Sequence, residues 1–150
     1  MTNLVARFAN RLAVTTFAAA LSAGSLGAQG SVKVSAWISA RPITAAGNDS
    51  GRVVLALTIS GMTEVAVRSL KSDQIVLRAE SGRVYLPFGA PSPIPSTASA
   101  SVVAHFYQVE ANSTGQYLFL VRPGDLQYEL WLPGQRPVSF AASLVRSRAR

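Results

Sequence analysis

The side chains able to move a proton or attack a bond are few in this chain, and they are scattered. His105 is the single histidine, a residue type suited to general-base work or metal ligation. A transition-metal set would need further histidine or cysteine, and the chain has neither a second histidine nor any cysteine. Asn48-Asp49-Ser50-Gly51 sets a serine beside an acid. A Ser-His-Asp set would have to draw on His105, and the flanking residues that build an oxyanion site are missing. The loop therefore reads as a turn, and His105, between Ala104 and Phe106, as an outward-facing strand position. Glu64, Asp73, Glu80, Glu110, Asp125 and Glu129 are the carboxylates from which a glycosidase pair would come. Asp73, Glu80 and Asp125 lie in or beside turn sequences, where acids are ordinary. The expectation is a protein that is not an enzyme and holds no metal and no cofactor.

Chemistry of binding is better represented. Trp37 and Trp131 fall on the face opposite the apolar set of their strands, and tryptophan is enriched at interfaces. Pro91, Pro93 and Pro95 alternate through residues 89–99, where they remove backbone donors and hold the chain extended. That segment reads as a passage between two sheets or as an exposed edge offered to a partner. These five residues are the candidate partner-binding set. Asn48-Asp49-Ser50 and Asn112-Ser113-Thr114 also fit the glycosylation acceptor pattern.

The elements that must position these groups have a period of two, the mark of half-buried strands. Val32, Val34, Ala36 and Ile38 share one face, as do Val53, Leu55, Leu57 and Ile59. Further strands are predicted at 64–70, 74–79, 83–88, 101–109, 116–122, 126–132 and 137–144. In the last three, Tyr117/Phe119/Val121, Leu126/Tyr128/Leu130/Leu132 and Val138/Phe140/Ala142 are the inward sets. No stretch after residue 30 reads as a sustained helix. Ser81-Gly82 marks a hairpin, because glycine tolerates the positive φ that tight turns demand. Short strands with turns every 8 to 12 residues predict an antiparallel β-sandwich of about 7–9 strands.

Residues 1–28 have the layout of a secretory signal peptide: Arg7 and Arg11, an apolar run over 12–21, then small residues to Ala28. The run is shorter than the roughly 20 residues a membrane-spanning helix needs. The mature protein is thus expected to be periplasmic or secreted, with residues 29–145 as one sandwich domain and 146–150 as a basic tail. The net charge of +7 is concentrated at the ends. Residues 29–145 carry nine basic and seven acidic groups, too even a balance for a nucleic-acid surface. Arg146, Arg148 and Arg150 could draw the chain toward anionic lipid, at about 1 kcal/mol each, or form a solvated terminus. With no cysteine, neither a disulfide nor a lipid anchor at the cleavage site is expected.

Two passages carry a family likeness. Residues 64–70 read as a strand leading into the 75–85 hairpin, whose turn ends Gly82-Arg83-Val84-Tyr85; in 114–123, Gly115 precedes an apolar strand ending near Pro123. Over about residues 51–133 the pattern resembles the small immunoglobulin-like domains of exported bacterial proteins of unknown function. The resemblance implies an immunoglobulin-like sandwich with a binding or accessory role in the cell envelope, and supplies no catalytic residues. The alternative role is a protease-inhibitor-like module using the stiffened loop 89–99, since a preorganised segment loses little entropy on binding.

Overall fold

Alternation in the sequence becomes two stacked sheets. The computed structural model describes residues 31–44 and 46–145. The signal peptide expected at 1–28 and the basic tail Arg146, Arg148 and Arg150 lie outside the described residues. Among these residues eight strands form two four-stranded sheets. The first has the order β5-β2-β1-β8, built from Gln116–Val121, Val53–Ser60, Lys33–Ser39 and Ser143–Val145. The second has the order β4-β3-β6-β7, from Val84–Tyr85, Val76–Ala79, Gln127–Trp131 and Val138–Ala141. All pairings are antiparallel except β1 with β8.

The core lies between the sheets. Ile38, Val53, Leu55, Leu57, Ile59, Tyr117, Phe119 and Val121 face it from the first sheet, and Leu77, Ala79, Tyr128 and Leu130 from the second. Burying each large apolar side chain contributes about 1.5–3 kcal/mol. Tyr128 also stacks on Phe140 of β7, with ring centroids 5.8 Å apart. The inward sets predicted for β1, β2 and β5 are the ones observed; of the set predicted for 126–132, Leu126 lies just ahead of β6 and is exposed. The predicted hairpin is present as well. The β3–β4 turn passes through Gly82 at φ 82°, and its amide donates to the Ala79 carbonyl at 2.9 Å.

Two predicted strands are helices. Residues 64–70 form α1, Glu64–Ser69, in place of a strand. Thr63 caps it by accepting the Ala66 amide at 3.2 Å, and Glu64 pairs with Arg68 one turn on. Those local bonds override the apparent alternation of Val65 and Val67, of which Val67 alone is buried. Residues 101–109 likewise fold as α2, Ala100–Tyr107, so His105 sits on a helix and not on a strand. Ala100, Val103, Ala104 and Tyr107 form one helical stripe. It covers Val54, Ala56, Leu118 and Leu120 on the outer face of the first sheet. The strand at 74–79 starts later than expected, after a 3-10 turn over Ser72–Gln74, and the one at 137–144 divides into β7 and β8. No helix among the described residues is long and apolar enough to cross a membrane.

Candidate functional site

Two of the carboxylates, Asp49 and Asp125, are buried and hydrogen-bonded within the fold. Asp49, 1% exposed, accepts at Oδ2 from the Ser96 hydroxyl (2.7 Å), the Thr97 amide (2.5 Å) and hydroxyl (2.8 Å), and the Ala98 amide (2.8 Å). Burial alone would raise its pKa. The bonds from Ser96, Ala98 and Thr97 outweigh that and hold it below the ordinary carboxylate value. Asp125 is buried too, accepting from the Ser81 and Tyr85 hydroxyls at 3.1 and 3.2 Å, with the Arg83 guanidinium 3.6 Å away. Ser50 and His105 are both exposed, His105 on the outer side of α2. Among the described residues no group of three or more His, Cys, Asp or Glu side chains gathers as a metal would require.

Asp49 also explains the proline segment. The chain leaves the second sheet after β4 and runs through 89–99 to α2, which lies over the first sheet. Pro91, Pro93 and Pro95 are exposed along this passage. Its far end is fastened to the 46–51 turn by Asp49, by Asn48 donating to the Pro95 carbonyl (3.3 Å) and by Thr97 donating to the Ala46 carbonyl (3.2 Å). Asn112, the other glycosylation candidate, uses its amide nitrogen on the Phe88 carbonyl and its oxygen on the Leu118 amide at 3.1 Å. A glycan on that nitrogen would leave it a single N–H for the bond to Phe88.

The strongest arrangement for binding lies where α2 ends beside β1 and β8. A cleft of about 360 Å³ is lined by Trp37, Ser39, Arg41, Phe106, Tyr107 and Val145 among others. Trp37 reaches it from β1 because its neighbours Ala36 and Ile38 face the core. Parallel pairing sets Ser39 opposite Val145, which brings the β8 edge to the same rim. The Ser39 hydroxyl donates to the Arg41 carbonyl at 3.0 Å and accepts the Arg41 amide at 3.2 Å, fixing the turn out of β1. Tyr107 donates to that carbonyl at 3.1 Å, tying α2 to it.

Phe106 meets Tyr107 edge to face, centroids 5.1 Å apart, and remains 66% exposed, as does Val102 one turn earlier. Such apolar exposure, rimmed by polar groups, is the usual character of an interaction surface. Trp131, 45% exposed, lies on the outer face of the second sheet. The two tryptophans therefore occupy opposite faces of the molecule and form no common patch. Phe106, Tyr107 and Val145 were not among the sequence candidates. The stripe at 100, 103, 104 and 107 was the signal for the helix that carries the first two.

No family model matches the chain, and no curated protein or solved structure matches it either.

Proposed function

We propose that the mature chain is an exported, non-enzymatic immunoglobulin-like sandwich that binds another component of the cell envelope. The fold part of this reading is supported by strand order. β1, β2 and β5 lie together against β3, β6 and β7, the partition of the first, second and fifth strands from the third, sixth and seventh in that architecture. Near the start of β6 the Tyr128 hydroxyl donates back to the Asp125 carbonyl at 2.8 Å. A tyrosine bonded to backbone just upstream, at the corner before the sixth strand, is a hallmark of such domains. The leader-like residues 1–28 support periplasmic or secreted location.

The binding role rests on one observation: Phe106 and Val102 stay exposed on a helix whose other face is buried, beside a cleft that Trp37 helps line. Aromatic anchors in a preformed recess are what protein interfaces use. Retention of envelope components by the immobilised mature chain and by a Phe106→Ser variant tests this. Species held by the first and lost by the second are expected; identical profiles would count against the cleft. A second reading, a loop inserted into a protease, is favoured by the Asp49 clamp, which anchors the exposed Pro91–Pro93–Pro95 segment at one end. Secreted proteases assayed at micromolar protein decide it, with unchanged rates eliminating that role.

A further inference from the structure

The outer face of the second sheet bears a polar array that neither the fold nor the cleft at Phe106 uses. Leu77, Ala79, Tyr128 and Leu130 face inward, so the alternate residues Arg78, Gln127, Glu129 and Trp131 face outward. Pairing register sets Arg78 opposite Glu129 and Glu129 opposite Ser139, giving one row across three strands. The neighbouring row sets Val76 opposite Trp131. Rows on one face are about 7 Å apart along a strand, so one extended ligand can touch both. Beside them lies an open recess of about 490 Å³ lined by Arg78, Glu80, Gln127, Glu129 and Ser139.

Arg78 and Glu129 are opposite charges directly across a strand pair, the placement in which such side chains ordinarily join. They do not join here. Among the described residues the side chains of Arg78, Gln127, Glu129 and Ser139 make no hydrogen bond or ion pair; the ion pairs are Arg68–Glu64 and Arg83–Asp125. Their donors and acceptors are all available outward. Arg78 donates in a planar fork, Glu129 only accepts, and Gln127 and Ser139 do both.

That inventory selects the ligand. One arginine against Glu80 and Glu129 leaves a slight negative balance, which disfavours phosphate, sulfate and anionic lipid. A polar recess disfavours an acyl chain. Vicinal hydroxyls that donate and accept together, on a ring with a flat C–H face, match the row of mixed donors and the exposed indole beside it. We infer that this face binds a neutral oligosaccharide, with Trp131 stacked on a sugar ring and Arg78, Gln127 and Glu129 holding its hydroxyls. The site is independent of the cleft at Phe106.

Titration of the mature protein with cellohexaose, laminarihexaose, maltohexaose and mannohexaose, read by calorimetry and intrinsic fluorescence, tests this. At least one oligomer is expected to bind saturably at sub-millimolar concentration. Trp131→Ala should weaken it tenfold or more and Glu129→Gln severalfold, with circular dichroism unchanged. Phe106→Ser should leave it as it is. Absence of binding across the panel overturns the inference, as does affinity unaltered in both sheet variants. Tighter binding of dextran sulfate than of any neutral oligomer overturns it as well.

Discussion

Asp49 and Ala98, 49 residues apart in the chain, are joined by a 2.8 Å hydrogen bond from the Ala98 amide to the buried Asp49 carboxylate. With the bonds from Ser96 and Thr97 to the same oxygen, it fastens the proline passage to the β1–β2 connection just ahead of α2. Asp49→Asn keeps the shape but replaces an ion that only accepts with an amide that also donates. The expected cost is about 2 kcal/mol. Urea unfolding of the two proteins measures it, and proteolysis within 89–99 should quicken in the variant. Equal midpoints would mean the clamp is idle.

Acid should act through the same carboxylate. Its folded-state pKa lies below the ordinary value, so the unfolded chain takes up the proton first, at about 3.9. Stability from Asp49 is complete above about pH 5 and declines as the pH falls toward the folded-state value. Unfolding midpoints from pH 6 down to pH 3 should drop less steeply in Asp49→Asn than in the parent.

Tyr128→Phe removes only the hydroxyl that donates to the Asp125 carbonyl at 2.8 Å, in the buried corner before β6. A loss of about 1 kcal/mol is expected, read as a lower thermal midpoint with an unchanged spectrum. Burial raises the pKa of Tyr85, Tyr117 and Tyr128, in Tyr128 with help from the nearby Asp125 charge. A phenol held protonated in the folded state stabilises it below the ordinary tyrosine pKa of about 10. That contribution is lost as the pH rises further. The late phenolate absorbance should therefore appear together with unfolding.

Much of the sandwich was legible because alternate apolar residues must share one face of a strand. Val53, Leu55, Leu57 and Ile59, and Tyr117, Phe119 and Val121, declared the first sheet's inner face in this way. The helices were not legible by that rule. Val65 and Val67 also alternate, and the β-branched and aromatic residues of 102–109 argue for a strand when capping and tertiary cover are ignored. Thr63 at the α1 cap and the 100/103/104/107 stripe of α2 were the competing signals. Misreading α2 hid Phe106 and Tyr107, and with them the cleft. The row Arg78–Glu129–Ser139 depends on the register of β3 against β6, strands far apart in sequence, which no local pattern supplies.

The two tryptophans should separate cleanly by accessibility. Trp37 packs beneath α2 with Ala104 and Tyr107, whereas Trp131 stands on an uncovered face. Acrylamide should quench Trp37→Phe, which retains Trp131, more strongly than Trp131→Phe, which retains Trp37. The reverse order would contradict the placement of α2 over the first sheet.

In the proposed function the surface around Phe106 meets an envelope component. A photo-crosslinking amino acid at position 106, with the full chain expressed and irradiated in intact cells, tests it most directly. A discrete adduct is expected at 106 and none when the same group replaces the exposed Val65 of α1. Irradiation that yields no adduct at 106, or equal adducts at both positions, would contradict it.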